Sequence, residues 1–506
     1  MSNHLFDALL AGRQQGNGKL FVPYANAGTR IDTDEAFFNL SARIATVLQD
    51  SGVKPGDRVA AQVAKSVEAL ALYIACIRAG AVFLPLNTAY TEPEIAYFIE
   101  DASPQIFVVD PVQQAMGERL LDKSRVLTLN GEGQGSLVSR AAEASASQVV
   151  IACGPEDLAA ILYTSGTTGR SKGAMLSHDN LLSNAVTLCE HWQFSASDVL
   201  LHALPIFHTH GLFVASNTLL LCGGRMIFQP VFSTDAVLKA LPQATALMGV
   251  PTFYTRLLGD EKFNQTRVDH MRLFISGSAP LLADTHREFE ARTGQRILER
   301  YGMTETSMST SNPYDGDRRA GTVGPALPGV EVRLMKPDTG QPSNAGEVGV
   351  LQVRGPNVFK GYWQMPEKTA EELLPDGFFI TGDLATIDSD GYVTIVGRSK
   401  DLIIAGGYNI YPKELELLID ELPGVMESAV IGVPHADFGE SVVAVVVRDT
   451  SVQGRSLGAD EVIGQLSDKL APFKHPRRVH FVEQLPRNTM GKVQKKSLRE
   501  TYSQKL

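Results

Sequence analysis

Eleven consecutive residues from Tyr163 to Gly173 read YTSGTTGRSKG, preceded by the apolar run LAAIL and followed by AMLSHDNLL. Glycines let backbone N–H groups approach an anion closely and hydroxyls add donors, so a strand running into such a loop can cradle phosphate. The pattern is not a Walker A loop, because Ser171 stands where its second glycine belongs and Gly173 where its Ser or Thr belongs. A generic Gly-rich stretch is as often a plain surface loop; the composition of all eleven residues raises this one above that. Other residues able to do chemistry are spread along the chain. Glu305 lies in GMTET, Asp383 in TGDL, Arg398 in VGRSK, and Lys492 in NTMGK beside Arg487, Lys495, Lys496 and Arg499. A carboxylate accepts from hydroxyls or holds a hard cation, a guanidinium offers a fixed fork, and an ammonium is a compact charge. Taken singly, each also has an ordinary interpretation as a surface carboxylate, a turn or a solvated basic face.

The elements that must position these residues follow an alternating plan. From Asp57 to Leu86 an apolar run, RVAAQV, precedes the amphipathic SVEALALYIACIRAG and a second apolar run, AVFLPL, the pattern of a βαβ unit. TEPEIAYFIEDA predicts a helix with Thr91 as N-cap and Pro93 in its first turn, and QIFVVD predicts a buried strand. MRLFISGSAP followed by LLADTHREFEARTG repeats the alternation. The fold class expected is α/β, a large doubly wound body with helices on both faces of a mostly parallel sheet. From Asp376 to Arg398, short-spaced Gly, Asp and β-branched residues predict hairpins and hence a β-rich subdomain. Beyond Lys400 compact strand–helix units take over. This predicts a large domain over 1–399 and a small C-terminal α+β domain over 400–506, of normal domain size.

Composition narrows the function classes. Lys+Arg number 46 against 56 Asp+Glu, a net charge of −10 over 506 residues, which offers no basic footprint for nucleic acid. With 44% hydrophobic and 20% charged residues the chain reads as packed and globular, not disordered. Its N-terminus, MSNHLFDALLAGRQQG, lacks a signal-peptide pattern, and the apolar stretch from Ala69 to Leu86 is broken by Arg78, Gly80 and Pro85. Cys76, Cys153, Cys189 and Cys222 are scattered without zinc-like spacing. A cytoplasmic protein with reduced thiols and no membrane partner is expected; oligomeric state is left open.

Further segments appear in order: LPIFHTHGLF from Leu204, VPTFYTRLL from Val250, ISGSAPL from Ile275, ERYGMTET from Glu299, ITGDLATID from Ile380, GRSKDLIIAGGYNIYP from Gly397 and LPRNTMGKVQKKSL from Leu485. With YTSGTTGRSKG, this series resembles the AMP-forming acyl-adenylate family of acyl-CoA synthetases, adenylation domains and luciferases over nearly the whole chain. Within the family, HALPIFHTHGLFVASN, GVPTFYTRLL and PRNTMGKVQK are similar to bacterial malonyl-CoA synthetases. The resemblance implies two half-reactions, adenylation of malonate by ATP with Mg²⁺ and transfer of the acyl group to CoA. It implies that Thr164, Ser165, Gly166, Thr167, Thr168, Gly169 and Lys172 bind the β- and γ-phosphates, Thr304 the α-phosphate, and Glu305 Mg²⁺. Asp383 and Arg398 would hold the ribose. Ser276, Gly277, Ser278, Ala279 and Pro280 would pack along adenine, with Arg300, Tyr301, Gly302 and Met303 following in the nucleotide site. Lys492 would bridge the acyl carboxylate and the α-phosphate, Gly406 and Gly407 would line the pantetheine channel, and Lys400–Asp401 would be the hinge.

For the acid, the resemblance implies that His208 faces the acyl group and that Arg256 pairs with a second carboxylate. Acetylation of Lys492 by a lysine acetyltransferase would delete its charge. The alternatives are a ligase for another short-chain or methyl-substituted dicarboxylic acid, an enzyme that loads a carrier protein, and a luciferase-like oxidase. A non-catalytic nucleotide sensor is disfavoured, because Lys172, Glu305, Asp383 and Lys492 are all present.

Overall fold

The helix Val67–Arg78 is buried along its whole length, and so are nearly all residues of the strands Arg58–Gln62 and Val82–Pro85 that flank it. Segments without a polar face have to lie inside a layered structure. In the computed structural model they do, and residues 2–23, 31–146, 149–164, 171–337, 339–405, 408–435, 438–466, 469–488 and 492–503 are described. Local signals hold where they were strongest. Ser66 accepts from the Ala69 N–H at the start of Val67–Arg78, and Thr91 with Glu94 forms a capping box on Glu92–Ala102.

The alternation expected to make one doubly wound body is divided between two six-stranded sheets. The first runs Val126–Thr128, Ile106–Val109, Arg58–Gln62, Val82–Pro85, Leu158–Thr164, Lys172–Ser177. The second runs Ser307–Ser311, Leu298–Met303, Leu273–Ser276, Ala246–Gly249, Val199–His202, Arg225–Phe228. Each is parallel except for one antiparallel hairpin at an edge, Leu158–Ser177 in the first and Leu298–Ser311 in the second. Hydrophobic patterning names the strands; which sheet a strand joins depends on partners far away in sequence. One large apolar core joins the two sheets, and a second, smaller one covers the other face of the first sheet beneath the helix Glu92–Ala102.

A third, antiparallel sheet follows, formed by Glu331–Met335, Gly349–Arg354, Phe379–Ile387 and Val393–Arg398. The turn Ser399–Asp401 leads into the small C-terminal domain. Its two long strands, Val425–His435 and Gly439–Arg448, pair antiparallel. Because both faces of this sheet are covered, those strands are apolar almost throughout. Leu415 and Ile419 pack with Val430 on one face, and Leu498 and Tyr502 with Ile431 on the other. No described helix is long and apolar enough to cross a membrane.

Candidate active site

Two edge hairpins bring most of the chemistry together. Thr164 and Lys172 face each other across the first; Ser165, Gly166, Thr167, Thr168 and Gly169, between them in sequence, lie outside the described residues. Thr304 and Glu305 form the tip of the second, between Leu298–Met303 and Ser307–Ser311. That turn is tight: a Cβ on Gly302 would sit 1.8 Å from the Ser307 carbonyl oxygen, so only glycine fits there. Glu305 is 5% exposed and makes no ion pair with a described residue. Burial raises its pKa, against the opposing pull of Lys172. A buried, unpaired carboxylate of this kind suits a hard cation.

The residues expected to hold the ribose also converge. Asp383 and Arg398 are cross-strand partners, with Arg398 Nε 3.0 Å from Asp383 Oδ1. Tyr301 donates its hydroxyl to Asp383 Oδ2 at 2.6 Å, and the Asp383 N–H donates to Thr381 Oγ1 at 3.0 Å. Asp383 is therefore held in one orientation by three neighbours.

Arg300 and Tyr301 do not act as a pair. Successive side chains of a strand point to opposite faces, and while Tyr301 reaches Asp383, Arg300 turns away beneath Gly277. A Cβ on Gly277 would lie 2.3 Å from the guanidinium carbon. Arg300 is 3% exposed, and its Nε and Nη2 have no partner among the described residues. Burial pushes its pKa down to about 9. Close by are His208 and His210, whose pKa values are lowered by burial and by the Arg300 charge, that of His208 to about 3 by burial, Lys492 and Arg300 in turn. His210 Nδ1 shares a hydrogen bond of 3.2 Å with the hydroxyl of Ser278, a residue at φ +70°. These residues make a polar, largely buried end to the cleft in which both histidines favour the neutral form.

Lys65 fixes the segment carrying those histidines from beneath, a feature with no counterpart in the sequence motifs. Its buried ammonium donates to His202 Nδ1 at 2.9 Å, to the His202 carbonyl at 2.7 Å and to the Leu204 carbonyl at 2.9 Å. His202 Nε2 then carries the ring proton and donates to the Gly211 carbonyl at 2.9 Å, inside the π-helical segment His210–Asn217. Such segments recur at functional sites.

Lys492 stands apart from the cations around it. Lys495 pairs with Glu416, Arg487 with Glu427 and Arg499 with Asp401, whereas the Lys492 ammonium has no partner among the described residues. Protein surrounds it but solvent reaches it, as inside an open cleft. That crowding and the Arg398 charge lower its pKa, against the opposite effect of Asp383 and Glu305.

On the other side of Glu305, Lys172 lies 3.2 Å from each carboxylate oxygen of Glu372 and 4.1 Å over the ring of Tyr362. The Tyr362 hydroxyl is 2.6 Å from Glu372 Oε2 and 3.2 Å from Glu305 Oε1. Neither Tyr362 nor Glu372 belongs to a motif singled out in the sequence. Arg256, in contrast, is exposed near the end of the helix Pro251–Leu258 and bonds to no described residue. Lys400 and Asp401 lie in the turn Ser399–Asp401; Gly406 and Gly407 lie outside the described residues.

Residues 27–363 match the AMP-binding enzyme family and residues 414–492 the AMP-binding enzyme C-terminal domain. The structure is similar to that of ATP-bound MatB from Rhodopseudomonas palustris, with 57% identity, a TM-score of 0.96 and 99% of each chain covered. The apo form of that protein, at the same identity and coverage, gives a TM-score of 0.85. A malonate–CoA ligase of Arabidopsis thaliana is 39% identical over 374 residues, 68% of this chain and 61% of the relative. A feruloyl-CoA synthase of Amycolatopsis sp is 37% identical over 503 residues, 97% of this chain and all of the relative.

Proposed function

The chain belongs to the AMP-binding enzymes, and from that premise we infer that it is an ATP-dependent malonate–CoA ligase. A malonate carboxylate oxygen attacks the α-phosphorus of ATP, the bond to the β-phosphate oxygen breaks, and pyrophosphate leaves. The CoA thiolate then attacks the acyl carbon and AMP departs, leaving malonyl-CoA. Likeness to MatB at 57% identity over 99% of the chain and to malonate–CoA ligases of Arabidopsis thaliana and Mus musculus supports the choice of acid. The carrying observation is Arg300, a buried guanidinium beneath Gly277 and close to His208, with two nitrogens that have no partner among the described residues. A desolvated cation without a carboxylate calls for an anionic ligand, and a dicarboxylic acid brings one to the end of the pocket remote from the reaction. Arg256 remains the second candidate for that role, approaching from the solvent side.

The other roles follow the same reading. Lys492 stabilises the charge that builds between the acyl carboxylate and the α-phosphate, a role supported by its unpaired ammonium and by the greater likeness to the ATP-bound than to the apo MatB structure. Lys172 and the loop after Thr164 hold the β- and γ-phosphates, and Thr304 the α-phosphate. Glu305 holds Mg²⁺, which neutralises phosphate charge when bound. Asp383 and Arg398 hold the ribose, and Ser276–Pro280 line the adenine site. Gly406 and Gly407 belong to the pantetheine channel, and Lys400–Asp401 is the pivot for CoA transfer. The reading places the enzyme in the cytoplasm, with Lys492 open to an acetyltransferase.

Malonate should drive pyrophosphate–ATP exchange without CoA. Lys492→Ala should lower that exchange by about 10²–10³, the scale of removing one preorganised donor, while thioester formation from supplied malonyl-adenylate survives much better. Release of ADP instead of AMP, or exchange that requires CoA, would exclude the mechanism.

A further inference from the structure

Glu372, the last residue of the helix Pro366–Glu372, comes from a part of the chain 200 residues away from Lys172. Its two oxygens sit at equal distances of 3.2 Å from the Lys172 ammonium, much as two oxygens of a phosphate would. Both side chains are largely shielded, at 18% exposure for Lys172 and 22% for Glu372, so the pair is not a solvated surface contact. We propose that Glu372 is a placeholder for the phosphates of ATP, a positioning carboxylate that holds Lys172 in the empty enzyme and gives it up when the β- and γ-phosphates arrive. The proposal rests on the reading that Lys172 meets those phosphates.

The surroundings fit an exchangeable pair better than a permanent one. Lys368, one helical turn before Glu372, lies 2.9 Å from Glu372 Oε1, and the Tyr362 hydroxyl lies 2.6 Å from Oε2. When Lys172 leaves, both oxygens therefore keep a donor, and no buried carboxylate is stranded. Lys172 in turn rests on the face of Tyr362, whose ring attracts the cation without a bond that has to be broken. Tyr362 also lies 3.2 Å from Glu305, so the carboxylate that waits for the phosphates and the one expected to hold their metal are braced by a single side chain. Without Glu372, Lys172 would be free to swing away from the hairpin in the empty site. With it, the ammonium is held near its working position, at the cost of a competitor that the nucleotide must displace.

The test is the dissociation constant of MgATP, and in parallel of AMP, measured by titration calorimetry on the full chain without malonate or CoA. Glu372→Gln should tighten MgATP about fivefold, in the range of a partly shielded ion pair, and leave AMP unchanged because AMP has no β- or γ-phosphate. Lys368→Ala, which leaves Lys172 as the only cation on Glu372 beside the Tyr362 hydroxyl, should weaken MgATP. Lys172→Met should weaken MgATP, and in that background Glu372→Gln should have no effect. If Lys172→Met weakens MgATP while Glu372→Gln leaves it unchanged or weaker, or shifts AMP equally, the placeholder is wrong and the Lys172 reading stands. If Lys172→Met leaves MgATP unchanged, Lys172 does not meet the phosphates and both fall.

Discussion

Arg300 joins two properties seldom found together, deep burial and no anionic partner among the described residues. Its pKa of about 9 still leaves it charged at neutral pH. Methyl differences in an apolar pocket change selectivity by only about 1–3 kcal/mol, whereas unpairing a desolvated charge costs roughly 2–5 kcal/mol. Charge should therefore decide which acid is used. Arg300→Met keeps most of the side-chain volume beneath Gly277 and should lower kcat/KM for malonate by at least about 30-fold. Activity toward butyrate should fall less. The wild-type enzyme should accept methylmalonate, which keeps both carboxylates, better than butyrate. Arg256→Ala, which removes an exposed side chain, should cost less than Arg300→Met. Measurement of kcat/KM for each acid at saturating ATP and CoA decides between them; a larger loss at Arg256 would move the distal carboxylate there.

The elements that carry the chemistry are the exceptions to the parallel sheets. Each six-stranded sheet ends in an antiparallel hairpin whose tip or base bears residues proposed for the chemistry, Lys172 in one and Thr304 and Glu305 in the other. The turn Ser399–Asp401 has a different task. Asp401 is tied to the final helix through Arg499 at 2.6 Å, and Arg398, just before the turn, pairs with Asp383 of the neighbouring strand. One turn thus separates a residue anchored in the third sheet from one anchored in the small domain. Lys400→Pro, which fixes φ near about −65°, should slow thioester formation more than adenylation when each half-reaction is followed in single turnovers. Equal rates in both steps would place the pivot elsewhere.

At the scale of the whole molecule, two structures of MatB, at the same identity and coverage, match this chain with TM-scores of 0.96 and 0.85. Sequence is constant between them, so the gap reflects conformation, and this structure is more similar to the ATP-bound form than to the apo form. Stability has its own pH signature. His178 is fully buried, neither ring nitrogen has a partner among the described residues, and burial pushes its pKa down to about 4. The unfolded chain takes up this proton near about pH 6.5 and the folded one only near 4, so unfolding becomes easier as pH falls through that window. Above pH 6.5 the group is neutral in both states and contributes no slope. His178→Gln should flatten the fall in unfolding free energy between about pH 6.5 and pH 4, as read from urea melts across that range.

Most of the local structure was already legible in the residue order. The Thr91 cap with its Glu94 partner, the Ser66 cap, the apolar strands and the hairpins after Asp376 all depend on neighbours within a few positions, where the periods of helix and strand are set by backbone geometry alone. The motifs also named Lys492, Asp383, Arg398 and Glu305 without any coordinates, and the other three all lie within reach of the Lys492 charge. Pairing over distance was decided only by the tertiary structure. It split one expected body into two sheets, left Arg256 exposed, and set Glu372 against Lys172 across 200 residues. It also separated Arg300 from Tyr301, and there a sequence signal existed: two neighbours in a strand cannot face the same ligand. No such signal existed for Glu372 or Lys65, because a buried ion pair or a capped ammonium is specified by chain segments that share no local pattern and meet only when the sheets and helices pack.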